Sequence, residues 1–350
     1  MQIKARDSYF EFIRGLCIIC VVFIHAQNGI AYKDGATFSW NYDYWLIFRQ
    51  FINFPVAIFV FLTAYFTDIK KVEEKPWGYL GKRGKRLLIP FLVWSLFYTA
   101  ISVVKQGFHI DIIKLGTNII VGQASTPLYY IVVLIQLVLI TPLLIRCLKN
   151  KYLNLMAFLI TPVYLILIYS FSYLAKHQIP HYEAVFPAWF IFYYTGLYIK
   201  IKAPVIRKKQ RSIAKAITIV VGALIFSIAE CYLMLFLGFP VGFATSQIKV
   251  SSFVYSISIV NLIFVLKDNI KTKESLITKL GNYSYGIFYI HCFYLMIISV
   301  VMSYIPLVYN ILPLYQVIEV VAALTLSTFT IIIITNKIMG KKLSSKLFGF

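Results

Sequence analysis

Apolar runs long enough to cross a bilayer follow one another along the whole chain, separated by short polar segments. Spanning the hydrocarbon core takes about 20 helical residues. Runs of that kind fall near 9–31, 44–66, 87–105, 127–147, 152–174, 185–201, 216–237, 251–266, 284–304 and 314–337. The pattern predicts an all-α integral membrane protein, a bundle of about ten transmembrane helices forming one domain over 1–350. The sixth and eighth runs are the shortest, and removing either would invert the orientation of everything after it.

The polar segments between the runs test this division. Alternate segments collect Lys4 and Arg6, the run from Lys70 to Arg86, Arg146 to Lys151, Lys200 to Lys215, Lys267 to Lys279, and Lys337 to Lys346. They hold 27 of the 34 Lys and Arg, and the opposite set holds five: Lys33, Lys105, Lys114, Lys176 and Lys249. Cytoplasmic segments carry such an excess, so ten spans with both termini in the cytoplasm are expected. The setting that follows is a bacterial cytoplasmic membrane, with the lipid bilayer as the first partner.

Composition agrees: 60% of residues are hydrophobic, only 13% are charged, and the formal net charge is +21. Because the cations are spread between apolar runs rather than gathered in one patch, nucleic acid is not an expected partner. The five cysteines lie inside apolar segments at odd number and with no histidine at zinc spacing, so neither a disulfide framework nor a metal site is expected. Lys4 and Arg6 before an apolar run resemble a secretory signal, but no small-residue cleavage site follows, which predicts an uncleaved first span. No internal repeat or soluble domain is visible, and the longest polar stretch, Thr67 to Arg86, is too short to fold alone. Pro55, Pro90, Pro142 and Pro162 fall in or beside spans, where a kink frees carbonyls that could line a cavity.

Ionisable side chains within spans cost at least about 2.5–3.5 kcal/mol at a helix centre, so they face the protein interior and mark candidate chemistry. They are Glu11, Arg14 and His25 in the first span, Arg49 in the second, Glu230 in the seventh, His291 in the ninth and Glu319 in the tenth. Arg14 and His25 are eleven residues apart, three helical turns, which puts them on one face roughly 16 Å apart along the axis. Glu11 shares that face. One account pairs Glu11 with Arg14 for topology and lets His25 bridge helices. The other makes the face serve two substrates arriving from opposite sides.

The segment Glu11-Phe-Ile-Arg14-Gly-Leu, followed by an apolar run ending at His25, resembles the first-helix signature of the acyltransferase-3 family, an Arg and a His separated by ten residues. Four further segments resemble that family in order. They are Phe54 to Phe66, with Thr63-Ala64 for the usual Ser-Gly, the basic run Lys82 to Arg86 leading to Trp94, Pro127-Leu-Tyr-Tyr130, with Tyr129 for Trp, and Leu280 to His291, with Phe288 for the usual Tyr. Glu11 replaces the more usual Asp.

The resemblance implies a membrane-embedded O-acyltransferase that moves an acyl group, most often acetyl, from cytoplasmic acyl-CoA to a hydroxyl of a cell-surface or lipid-linked sugar. It implies catalytic roles at His25, Arg14 and Glu11. Neutral imidazole suits a base near pH 7, so His25 is the expected general base. Arg14, with Arg83 and Arg86 before a helix start, would hold the phosphates of acyl-CoA. His291, about eight residues into its span, would orient the thioester or pair with Glu230 or Glu319. Arg49 is the candidate to polarise the acceptor, and Trp40 and Trp45 in the outer loop are candidates to stack sugar rings. The alternative function is export of a polysaccharide or lipid-linked sugar, but transporters tend to carry internal repeats and matched broken helices. No oligomeric state follows from the sequence.

Overall fold

Asp7 opens the first helix, its carboxylate accepting the Tyr9 N–H at 3.1 Å as an N-cap does. The structure, a computed structural model, describes residues 7–26, 40–108, 111–206, 212–267, 269, 274–305, 308 and 311–350. Among these residues there are helices and no strand. The principal helices are α1 (Ser8–His25), α2 (Trp40–Phe51), α3 (Pro55–Tyr65), α4 (Pro76–Lys105), α5 (Tyr129–Cys147), α6 (Lys151–Ala175), α7 (Phe190–Ile206), α8 (Ile213–Phe236), α9 (Val250–Lys267), α10 (Leu276–Met302), α11 (Leu312–Ile333) and α12 (Gly340–Leu347).

Nine membrane spans are long and apolar enough to cross a bilayer among the described residues, α2 and α3 together forming one and α11 continuing to Ile338. The region expected as a sixth span is α7, with 17 helical residues, about 26 Å at 1.5 Å per residue. It begins five residues later than expected because Pro187 sits in a separate 3-10 turn, Phe186–Ala188. The second span is broken at Ile52–Phe54, with Pro55 at the first turn of α3. Two starts lie well before the apolar runs: α4 begins at Pro76 rather than 87, and α10 at Leu276 rather than 284. Hydropathy marks where the hydrocarbon begins, and a helix can continue through polar residues beyond it. Residues 27–31, the expected end of the first span, lie outside the described residues.

The lipid-facing surface is legible in α6, where Leu155, Met156, Leu159, Val163, Ile166 and Leu167 are exposed at helical spacing. The opposite case is α1, whose buried Phe10, Cys17, Ile18 and Val22 place it at the centre. Gly15 and Gly281 set its closest contact. A Cβ on Gly281 would collide with the Glu11 carbonyl oxygen, and one on Gly15 with the Ile277 carbonyl oxygen. Ten residues beyond each glycine stand His25 and His291, their ring centroids 5.3 Å apart. Equal spacing on both helices means that α1 and α10 run parallel. An odd number of intervening crossings puts both helices in the same direction, and seven lie between them when α7 crosses with the others. The Arg14 end and the His25 end therefore define two ends of the bundle for both helices.

Candidate functional site

Two cavities lie along α1, one at each end. The larger, ≈ 350 Å³, is lined by Glu11, Arg14, Arg83, Arg86, Asn282 and Tyr285 among others. The smaller, ≈ 180 Å³, holds His25, Arg49, Tyr129, Glu183, Trp189 and Gln247. Phe59, Tyr130 and Phe288 line both, so three rings stand between them.

His25 is the last residue of α1, where helix carbonyls lose their internal donors. Side chains from two other spans supply replacements. Gln316 of α11 donates to the Ala26 carbonyl at 2.9 Å, and Arg49 of α2 to the Ile24 carbonyl at 3.4 Å. A cation at a helix C-terminus also complements the helix dipole. Tyr44 donates to Gln316 at 3.1 Å, so the end of α1 is fixed by a short relay. Across from His25, His291 is fully buried, with Nδ1 3.0 Å from the Ile287 carbonyl. A carbonyl only accepts, so Nδ1 carries a proton.

The wall facing these histidines comes from two connectors. The first, between α6 and α7, is held by Tyr164, which donates to the Tyr182 carbonyl at 2.5 Å. Gln136 bonds both the Ala184 carbonyl and the Phe186 N–H, and Trp189 donates to the Glu183 carbonyl. Burial pushes the Glu183 carboxyl above the usual carboxylate range, with opposing contributions from a backbone hydrogen bond and His181. A raised native pKa means that ionisation costs stability above the ordinary carboxylate pKa. Glu183→Gln is therefore expected to raise the melting temperature at pH 7, with the gain shrinking as pH falls through the carboxylate range. Equal gains at pH 7 and pH 4 in a detergent melting series would contradict this.

The second connector precedes α9 and contributes Ser246, Gln247 and Ile248 to the cavity. It ends at Lys249, completely buried, whose ammonium donates to the Ser227 carbonyl at 2.8 Å and lies 3.9 Å from Glu230. Glu230 also accepts from Tyr169 at 2.7 Å and from the Ser251 N–H at 2.9 Å. Asn53, in the break between α2 and α3, donates to the carbonyls of Thr245 and Ser246. Lys249 thus leaves the loop set to which its place between spans assigned it and becomes an internal anchor.

At the other end, Arg14 forms a 2.6 Å ion pair with Glu11 and lies over the Phe66 ring at 5.2 Å. Its side chain keeps 28% exposure against 5% for Glu11. The carboxylate is therefore spent on holding the guanidinium, which remains open to the cavity. Arg83 and Arg86 reach the same cavity from within α4, not from before its start. Because α4 is continuous from Pro76, the free N–H groups expected at that point are bonded within the helix, and only the side chains are left to bind an anion.

Three sequence expectations change. His291 lies about 22 Å into α10 rather than 12 Å, because the helix starts at Leu276, and it faces His25 rather than the arginines. It pairs with neither Glu230 nor Glu319; Glu319 accepts from Tyr315 at 3.1 Å. Trp40 and Trp45 lie in α2 rather than in a loop, and neither lines the His25 cavity. Trp40 is 76% exposed and Trp45 packs in the core against Tyr42. Besides the three rings shared with the larger cavity, the His25 cavity is lined by Tyr129 and Trp189, stacked at 6.4 Å, and Tyr182. The Pro-Leu-Tyr-Tyr segment had signalled Tyr129, but nothing in the apolar pattern singled out Glu183 or Trp189. Among the described residues, no cluster of three or more His, Cys, Asp or Glu is placed to hold a metal.

Comparison with known proteins identifies a family for the chain. The family described as an acyltransferase domain, acyltransferase-3, matches residues 7–337. The protein named "Putative membrane-bound acyltransferase YfiQ" from Bacillus subtilis (strain 168) is 23% identical over 326 residues, covering 87% of this chain and 84% of its own. No solved structure matches.

Proposed function

We propose, since the chain belongs to the acyltransferase-3 family of membrane acyltransferases, that it transfers an acetyl group from cytoplasmic acetyl-CoA to a sugar hydroxyl. The acceptor is a cell-surface or lipid-linked glycan presented at the opposite face of the cell membrane. The observation that carries this reading is the pair of cavities along α1, one ending on three arginines and the other on His25, with His291 packed behind it. The Arg14 end, with the chain termini, is assigned to the cytoplasm from the distribution of Lys and Arg between spans.

The donor's phosphates would meet Arg14, Arg83 and Arg86, which offer charge-assisted and bidentate hydrogen bonds. Its pantetheine arm would run along α1 toward His25, roughly 16 Å away. The acceptor hydroxyl gives its proton to His25 as its oxygen bonds to the thioester carbonyl carbon. The carbon–sulfur bond then breaks, and the proton passes to the departing thiolate, releasing CoA as the free thiol. Arg49, in the same cavity, would stabilise the oxyanion on the carbonyl, and Tyr129 and Trp189 would stack against the sugar. Glu11 acts through Arg14 as a positioning residue.

The test is purified full-length protein in lipid nanodiscs, given acetyl-labelled acetyl-CoA and a mixture of free and lipid-linked hexoses. Label should enter the sugar as an ester, with one free CoA thiol per ester. Label that never reaches the acceptor would refute the reading. Charge reversal at Arg86 should raise the KM for acetyl-CoA by about 10-fold or more, the scale of one charge-assisted hydrogen bond, and lower kcat less. An unchanged KM in the same assay would remove Arg86 from the donor site.

A further inference from the structure

We propose that Phe59, Tyr130 and Phe288 form an apolar collar that selects the acyl group: uncharged short acyl groups pass to His25, and carboxylate-bearing ones such as succinyl are rejected. This rests on the donor and acceptor assignment above and narrows it to one substrate class. The three rings line both cavities, so an acyl thioester entering from the arginines meets them before it meets the histidines. They form a chain of contacts, Phe59 to Tyr130 at 6.5 Å and Tyr130 to Phe288 at 5.3 Å. Phe288 is one turn before His291 on α10, and its ring lies 6.4 Å from the imidazole. The collar therefore abuts the histidine pair on its arginine side.

The chemistry of such a collar discriminates by charge more than by length. A methyl group and a methylene chain have similar cross-sections, so an extended acyl chain can thread where acetyl can. A carboxylate must shed its water to enter, and the faces of aromatic rings carry negative quadrupole density. Tyr130 is the one ring of the three with a hydroxyl, and Phe288 lacks the hydroxyl that a tyrosine would supply. Both are nearly buried, each 7% exposed, so water is scarce at the narrowest point. Arginines on the near side would hold a succinyl carboxylate there rather than draw it through. Beyond the collar, the smaller cavity must also admit the sugar hydroxyl, which limits the acyl chain to a few carbons.

The full-length protein in nanodiscs, with the same hexose mixture, would be assayed for ester formation and CoA thiol release from acetyl-CoA and succinyl-CoA. Wild type should favour acetyl over succinyl in kcat/KM by about 100-fold or more, a modest fraction of the cost of desolvating a carboxylate. Phe288→Ala, which opens the collar to water, should lower that preference at least about 10-fold. Phe59→Ala should shift it in the same direction and serves where the first variant does not fold. Wild-type preference below about 10-fold, or an unaltered ratio in a folded variant, would overturn the collar while leaving acyl transfer intact. Transfer from neither donor would instead overturn the functional reading beneath it. Because the readout is a ratio of donors, a general loss of activity in a variant does not imitate the expected result.

Discussion

His25→Ala is expected to lower acyl transfer by about 10²–10⁴-fold, the usual range for loss of a positioned general base. The donor should still bind, because the arginines that would hold its phosphates lie roughly 16 Å away along α1. The comparison is therefore between CoA binding, which should stay near wild type, and ester formation, which should collapse. His291→Ala should cost less. His291 lies behind His25, and its Nδ1 is committed to the Ile287 carbonyl, so it orients the pair rather than taking the hydroxyl proton. Wild-type transfer by folded His25→Ala protein would remove His25 from the mechanism. A loss of CoA binding equal to the loss of transfer would instead mean that His25 holds donor rather than proton.

Gly281→Leu should damage the protein as severely, through the backbone. A side chain here meets the Glu11 carbonyl oxygen, and backbone cannot turn away as a side-chain tip would. Helices in lipid gain their cohesion from close packing of small residues, so separating α1 from α10 removes the contact that holds both histidines in register. Overpacking of this kind costs about 1–3 kcal/mol or somewhat more. Even a variant that survives should lose transfer, since the imidazoles ten residues on would move apart. Gly281→Ala should give a milder form of both effects. A melting temperature and a transfer rate unchanged in Gly281→Leu would show that α1 and α10 do not need this contact. The contrast with Gly116, which has open space around its Cβ position, supplies the control: alanine there should leave melting unaltered.

Much of the candidate site is legible in the amino-acid sequence. The Arg14 to His25 spacing names a helical face, and the structure has that face, with Glu11 bonded to Arg14 and a cavity at each end of it. Arg83 and Arg86 were visible as part of a basic run, though hydropathy started the helix too late and credited them with free backbone donors. His291 was visible as a buried imidazole but misplaced by about 10 Å, because the depth of a residue depends on where its helix starts. Trp40 and Trp45 lie away from the lining of the His25 cavity, and the sequence could not show that for a different reason. Aromatic residues near a membrane interface serve as anchors and as core, and composition cannot tell these apart from a binding surface.

The sequence by itself determined the solvent of this protein, the helical character of its spans and the residues too costly to bury without purpose. Each of these is a one-dimensional property: apolar length against bilayer thickness, and charge against the price of desolvation. Only the tertiary structure decided which of those residues meet. The parallel contact of α1 with α10 through Gly15 and Gly281 joins positions more than 260 residues apart and sets His25 against His291. It also decided that Glu183, Gln247 and the ring of Phe288 belong to the same region as His25. Those neighbours come from connectors and helix faces whose local patterns are ordinary, and no periodicity along the chain records which face of one helix lies against which face of another.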